Sequence, residues 1–136
     1  MSFKEELWNA ITHGVGFLIS IPVTVLLIIQ AASMNSAIHI ITFSIFGASL
    51  ILLFLMSTLL HSMPVKYKRF FAILDHSSIY ILIAGTYTPF LLIAIGGPLG
   101  ITLLSIIWSI AIFGVVFKCY FIDRFEKFSL ALYIAM

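Results

Sequence analysis

The sequence has very little charge. Of its 136 residues, seven are Lys or Arg and five are Asp or Glu, which is 9% of the chain, whereas a soluble domain carries roughly 25%. That shortage excludes an ordinary soluble enzyme, a disordered tail and a nucleic-acid-binding protein. The net charge of +2 is too small to indicate a polyanionic partner. The single cysteine, Cys119, excludes an intramolecular disulfide and a cysteine metal cluster.

Two long stretches contain no Asp, Glu, Lys or Arg: the 59 residues between Glu6 and Lys66, and the 42 residues between Asp75 and Lys118. A membrane-spanning helix needs about 20 apolar residues, so each stretch has room for two spans and a short turn. Turn-forming residues occupy 33–36 and 96–100. The sequence therefore predicts four transmembrane helices, at about residues 14–32, 38–60, 73–95 and 100–121.

The last nine residues, 128–136, are again apolar but are too few to cross a bilayer. We interpret them as part of a fifth span, because half a helix in lipid would leave carbonyl groups without partners. A short helix in the membrane interface is the alternative. The predicted fold class is an all-α integral membrane protein, a single transmembrane domain over residues 1–136 with four spans and a partial fifth.

Every Lys and Arg falls in segments that four spans place on one side of the membrane. Lys4 precedes the first span, a second basic group follows the second span, and a third follows the fourth span. Positively charged short loops are typical of the cytoplasmic side. We therefore predict a cytoplasmic N-terminus in a multi-pass protein of the plasma membrane.

Ionisable residues near the membrane interior are costly, so each is a candidate for function. Glu6, Asn9 and His13 fall within about 60° of arc on one helix face, although a polar cap on a membrane helix would look the same. Ser57 and His61 are four residues apart and stack on one face of the second span. A lone interfacial histidine is also common at helix ends, so both readings stay open here.

Asp75 begins the third polar group, at the predicted start of the third span. An aspartate there would also suit the N-terminus of a helix, whose free amides and dipole favour negative charge. Thr86 lies eleven residues on, on the same helix face as Asp75. Gly85 would allow close helix contact, and Pro89 should kink the span.

The predicted topology brings the three polar groups to one membrane face, where they could line a single site. Imidazole binds zinc, and a carboxylate can orient or deprotonate a zinc-bound water. His61 is the strongest candidate ligand, and His13 and His76 are weaker candidates. His39 lies at the opposite face and is expected to play no part.

At these residues the sequence resembles the hemolysin III family of bacterial membrane proteins, relatives of the adiponectin and progestin receptors. Three ordered motifs carry the resemblance: Glu6-Leu-Trp-Asn9 through Thr12-His13-Gly14, then Ser57-Thr-Leu-Leu-His61, and the stretch Asp75-His-Ser-Ser-Ile-Tyr-Ile-Leu-Ile-Ala-Gly-Thr-Tyr-Thr-Pro89-Phe90. The last is long and specific. The resemblance covers essentially the whole chain.

The resemblance implies a seven-helix bundle with a cytoplasmic N-terminus, of which this chain resembles the first four helices and part of the fifth. It implies a zinc site in which His61 is a ligand, Ser57 supports the site and Asp75 holds the zinc-bound water. Glu6, Asn9 and His13 would line the same cavity. The two remaining ligands of the family are a His-x-x-x-His pair in the seventh helix, and no histidine follows His76 here.

From this resemblance we expect a zinc-dependent membrane hydrolase acting on a lipid amide or ester, with Asp75 as general base and Ser57 orienting the reactants. The expected partners are membrane lipid and a lipid substrate. The family name suggests a cytolytic pore as the alternative, although a pore needs polar residues along several whole spans. A regulator or receptor that only binds at the site is the third hypothesis.

Overall fold

The computed structural model describes residues 2–136, and every regular element in this range is helical. Five α-helices follow one another, with a π-helical segment, Phe90–Ile95, between the third and the fourth. The α-helices are α1 (Phe3–Ser33), α2 (Ala37–Ser62), α3 (Val65–Pro89), α4 (Gly97–Phe121) and α5 (Glu126–Ala135). The first four of these helices, with the π-helical segment continuing the third, are long and apolar enough to cross a membrane. The predicted fold class is therefore confirmed.

The helices extend further than the predicted spans at the polar end of the molecule. A capping box starts α1, since the Ser2 hydroxyl accepts from the amide of Glu5 and the Glu5 carboxylate accepts from the amide of Ser2. The 31 residues of α1 measure about 46 Å, against about 30 Å of hydrocarbon. The predicted spans were limited to about the length that crosses a bilayer, whereas the helical hydrogen bonding continues beyond that length.

The connections are shorter than predicted. Residues 34–36 join α1 to α2, with Asn35 in the left-handed region at φ 50°. Gly96 alone separates the π-helical segment from α4, and both Gly96 and Gly97 have positive φ. Of the predicted turn at 96–100, only Gly96 lies outside a helix and the other four residues belong to α4, because Pro98 fits the first turn of a helix.

The π-helical segment begins directly after Pro89. Proline has no amide hydrogen, so the regular hydrogen-bond ladder cannot continue through it, and π-helical turns are one form that such an interruption takes. The indole Nε1 of Trp108 on α4 donates to the hydroxyl of Thr88 at 3.1 Å. This bond connects the end of α3, just before the π-helical segment, to α4.

Neighbouring helices contact one another in chain order, and α5 folds back against α3 and α4. Small residues allow these contacts, as is usual where lipid surrounds a bundle. Gly85 on α3 faces Ser49 on α2, and Gly114 on α4 lies against the ring of the fully buried Tyr80. Large apolar side chains such as Leu18, Leu26 and Ile112 are exposed on the outside, as expected of a surface that faces acyl chains.

Two ion pairs place the basic segments at one end of the bundle, called here the basic end. Glu6 of α1 pairs with Lys68 of α3, with Oε2 and Nζ 2.5 Å apart. Arg69 of α3 pairs with Asp123, between α4 and α5, at 3.4 Å. The predicted grouping of the basic segments on one side is therefore confirmed.

Replacing Gly85 by alanine should destabilise the bundle. A Cβ atom there would lie 3.0 Å from Ser49 Cβ and closer still to its Oγ, so the two helices would have to move apart. We expect a loss of about 1–3 kcal/mol, measured by chemical unfolding in detergent micelles and followed by circular dichroism.

Gly14→Ala is the matched control, because its Cβ would meet Thr58 Cγ2 at an ordinary 3.6 Å. Ser49→Gly in the Gly85→Ala background should recover part of the loss. Equal stability of the Gly85→Ala and Gly14→Ala proteins would contradict the close contact.

Candidate functional site

The hydroxyl of Ser57 bonds to a neighbouring helix and not to a carbonyl of its own helix. Its Oγ lies 2.7 Å from Nδ1 of His13, which joins α2 to α1 across 44 positions of sequence. Most serine and threonine hydroxyls in the spans instead donate to a carbonyl one turn back in the same helix, and the adjacent Thr58 does so to Phe54 at 2.6 Å. Ser57 is buried and His13 is half-buried, so this bond lies inside the helix packing.

In the outer part of the same region, Glu6 connects α1 to α2 and α3. Besides its bond with Lys68, its Oε2 lies 3.8 Å from Nδ1 of His61, and the His61 side chain is only 12% exposed. The rings of His61 and His13 are 5.8 Å apart between centroids. Glu6, His13, Ser57, His61 and Lys68 therefore form one continuous group, called here the polar cluster, contributed by α1, α2 and α3.

Asn9 lies between Glu6 and His13 along the same face of α1 and is half-buried. Its backbone carbonyl accepts from the hydroxyl of Thr12 at 3.2 Å. Since Glu6 contacts α3 and His13 contacts α2, the predicted face of α1 is the one that meets the neighbouring helices.

Asp75 is not at a helix N-terminus, because α3 begins ten residues earlier at Val65. The capping interpretation was wrong, and the reason is that the helix runs through the basic segment that was taken for a loop. The carboxylate is 17% exposed and lies 3.9 Å from Nδ1 of His76, whose ring nitrogen donates to the carbonyl of Ala72 at 2.7 Å. This contact of Asp75 lies within its own helix, and its role as a base stays a prediction.

Two other candidates lie away from the polar cluster. Thr86 is exposed and donates to the carbonyl of Leu82 on its own helix; it lies about 16 Å along α3 from Asp75. His39 is in the first turn of α2, about 33 Å along the helix from His61. The expected position of His39 at the far end is confirmed.

An open cavity of about 620 Å³ adjoins the polar cluster at the basic end. Glu6, His61, Ser62 and Lys68 supply its polar wall. Its apolar wall consists of Phe3, Leu7, Ala10, Met63, Pro64 and Val65. The lining identifies Lys68 as a site residue, although sequence reasoning used it only to orient the chain.

The described residues do not complete a zinc site. Within residues 2–136, no three side chains of His, Cys, Asp or Glu come together as a metal-binding group. His61 offers one imidazole, and the neighbouring Glu6 carboxylate is bonded to Lys68. Zinc sites need three or four protein ligands, so the described residues do not make up such a site by themselves.

Comparison with known proteins gives a consistent assignment. The family model described as "Haemolysin-III related" matches residues 1–136. The chain is 55% identical over 134 residues to "Hemolysin-3" of Bacillus cereus, covering 98% of this chain and 61% of that protein. It is 56% identical over 136 residues to "Hemolysin-3 homolog" of Bacillus subtilis (strain 168), covering 99% of this chain and 64% of that protein.

No solved structure matches the chain. The chain spans a little over three-fifths of the length of the curated relatives it matches. The match over its whole length, together with the four membrane-spanning helices, shows that this chain is a multi-pass membrane protein of the haemolysin-III related family.

Proposed function

We propose that the protein is a membrane-embedded hydrolase that cleaves a lipid amide or ester, with its basic end in the cytoplasm. The observation that supports this most is the bond between Ser57 and His13 inside the polar cluster. A hydroxyl inside a membrane helix has a nearby carbonyl partner at no cost in packing. A reactive site instead needs a hydroxyl that faces other functional groups, and the Ser57 hydroxyl faces His13 on another helix.

The geometry suggests how these two residues divide their roles. When the Ser57 hydroxyl donates its hydrogen to Nδ1 of His13, the lone pairs of Ser57 Oγ are left to accept a hydrogen bond from a bound molecule. His13 then fixes the direction of the hydroxyl, and Ser57 orients a reactant. In this proposal Asp75 supplies the general base, as the family resemblance implies.

Zinc enters the proposal through His61 alone. The resemblance implies a zinc ion that lowers the pKa of a bound water, and His61 is the residue of this chain that matches the family ligand. The other ligands would come from sequence beyond that matched here, which is consistent with the greater length of the relatives.

The name of the relatives suggests cytolysis, which is a proposal of a different kind. A pore requires polar groups that line a continuous path through several spans. The hydroxyls of Thr102, Ser105 and Ser109 on α4 donate to carbonyls of their own helix. This arrangement gives a pore no support, so hydrolysis is the function that we put to the test.

The bond between His13 and Ser57 should be measurable as a coupling energy. In a double-mutant cycle of His13→Ala and Ser57→Ala, we expect a coupling of about 1 kcal/mol in the free energy of unfolding in micelles. The matched cycle of His13→Ala with Thr58→Ala should give a coupling near zero, because Thr58 bonds Phe54. Equal coupling in both cycles would remove the observation on which the proposal depends.

Zinc content and hydrolysis test the function itself, and the whole protein is the right material. We expect about one zinc ion per chain by mass spectrometry of the purified protein, and loss of most of it in His61→Ala. His39→Ala is the control, because that residue lies at the far end of α2. In proteoliposomes containing an N-acyl amide or a diacyl phospholipid, Asp75→Asn should lower fatty acid release by about 100-fold or more.

Three results would count against the proposal. Absence of zinc from the purified wild-type protein would exclude the metal from the proposed function. Fatty acid release that survives Asp75→Asn and Ser57→Ala would remove the assigned roles. Release of an entrapped dye by the wild type and by both variants alike, with no fatty acid produced, would favour cytolysis instead.

Cysteine labelling tests the orientation. In a Cys119→Ser background, a membrane-impermeant maleimide should label Met34→Cys on intact cells and Tyr67→Cys only after the cells are broken. Both positions are exposed, and neither substitution alters a charge. Labelling of Tyr67→Cys on intact cells would show that the orientation is the opposite of the one proposed.

A further inference from the structure

The cavity at the basic end combines one carboxylate and one ammonium group with apolar walls. Glu6 on α1 and Lys68 on α3 face each other at 2.5 Å, and both line the cavity. Its volume of about 620 Å³ lies within the range typical of small-molecule sites. A cavity with this lining suits an amphiphile better than a wholly polar or a wholly apolar ligand.

The two charged side chains are only partly enclosed, with 22% of Glu6 and 32% of Lys68 exposed. A carboxylate can accept about four hydrogen bonds and an ammonium group can donate three, so the bond between them leaves both able to bind a second partner. A zwitterion lying alongside would place its cation against Glu6 and its anion against Lys68. An anion without a cation would gain Lys68 but would meet the negative charge of Glu6.

The cavity lies at the basic end of the bundle, where we expect phospholipid headgroups. It is formed by the first turns of α1 and the connection from α2 to α3, at the two ends of the first charge-free stretch. Phe3 and Val65 in its wall are 81% and 83% exposed. These side chains offer apolar contact to the part of a lipid that joins the headgroup to the acyl chains.

We propose that this cavity binds the headgroup of a phospholipid that carries a primary amine, as phosphatidylethanolamine does. The amine donates to Glu6 and the phosphate accepts from Lys68. The quaternary amine of phosphatidylcholine has no hydrogen to donate, and the headgroup of phosphatidylglycerol has no cation. This inference does not depend on hydrolysis or on zinc, and it would hold for a protein that only binds lipid.

The experiment is a competition among lipids. The protein is purified in detergent with an equimolar mixture of phosphatidylethanolamine, phosphatidylcholine and phosphatidylglycerol that share the same acyl chains, and the bound lipids are counted by native mass spectrometry. We expect the first lipid retained to be phosphatidylethanolamine, favoured about tenfold over the other two, which corresponds to one charge-assisted hydrogen bond. Glu6→Gln should reduce this preference to about twofold or less, because it removes the partner of the amine. Lys68→Ala should instead lower the retention of all three lipids, because each of them carries the phosphate.

Neighbouring residues of the same type provide matched controls. Glu5 bonds Ser2, and Lys66 lies over the ring of Tyr67; neither lines the cavity. Glu5→Gln and Lys66→Ala should therefore keep the wild-type preference. Soluble glycerophosphoethanolamine added in excess should compete only weakly, because it lacks the acyl part that the apolar wall contacts.

The double variant Glu6→Lys, Lys68→Glu separates lipid binding from a purely structural ion pair. It keeps an ion pair between α1 and α3 but reverses the positions of the two charges. We expect wild-type thermal stability within a few degrees together with loss of the lipid preference. An unchanged preference in this variant or in Glu6→Gln, or a wild-type preference for phosphatidylglycerol, would overturn the proposal.

Discussion

The lack of hydrogen-bond partners in the hydrocarbon of a bilayer is the constraint on which the structure depends. A polar group there must be satisfied inside the protein. Hydroxyls in the spans meet this demand within their own helix, as Thr24 does with Ser20 and Thr88 with Ala84. Charged groups meet it by lying at the basic end, where ion pairs and water are available. The bond from Ser57 to His13 departs from this pattern, because it joins two helices within the candidate site.

Much of the fold follows from where charge is missing. Two charge-free stretches, each long enough for two spans, were sufficient to predict four transmembrane helices and the side on which the basic segments gather. The helix ends could not be predicted in the same way. Hydropathy marks where lipid ends, whereas a helix ends where its hydrogen bonding ends, so Val65 and Phe3 begin helices well before the lipid-facing part. The error at Asp75 has this origin.

The convergence of the polar groups of α1 and α2 could also be predicted, but their pairing could not, and Asp75 of the third group is not in contact with them. The i,i+4 spacing of Ser57 and His61 identifies a shared face of α2 without indicating which helix it meets. Pairing depends on the rotation and depth of each helix, and these are determined by close contacts such as Gly85 with Ser49. Thus His61 lies beside Glu6 and His13, and Lys68 enters the site, although its charge had suggested only an orientation.

The last helix, α5, also packs at the basic end. The hydroxyl of Tyr133 on α5 donates to the carbonyl of His76 at 3.1 Å, and that of Tyr80 on α3 donates to the carbonyl of Ser129. A serine or histidine carbonyl in a regular helix is already bonded, so these tyrosines add second partners to α3 and α5. The α3 segment next to Asp75 is thereby held on its other side, by α5, and its position does not depend on Glu6 and Lys68 alone.

The polar cluster has two levels, and their order along α1 has a chemical consequence. Glu6 lies seven residues before His13, which is about 10 Å along the helix axis. The outer level, Glu6 with Lys68, is open to the cavity, whereas the inner level, His13 with Ser57, is enclosed between helices. A phospholipid enters a bilayer with its headgroup outermost and its acyl linkages deeper. A lipid whose amine met Glu6 would therefore have those linkages at about the depth of His13 and Ser57, although neither of these two residues lines the cavity that Glu6 and Lys68 share.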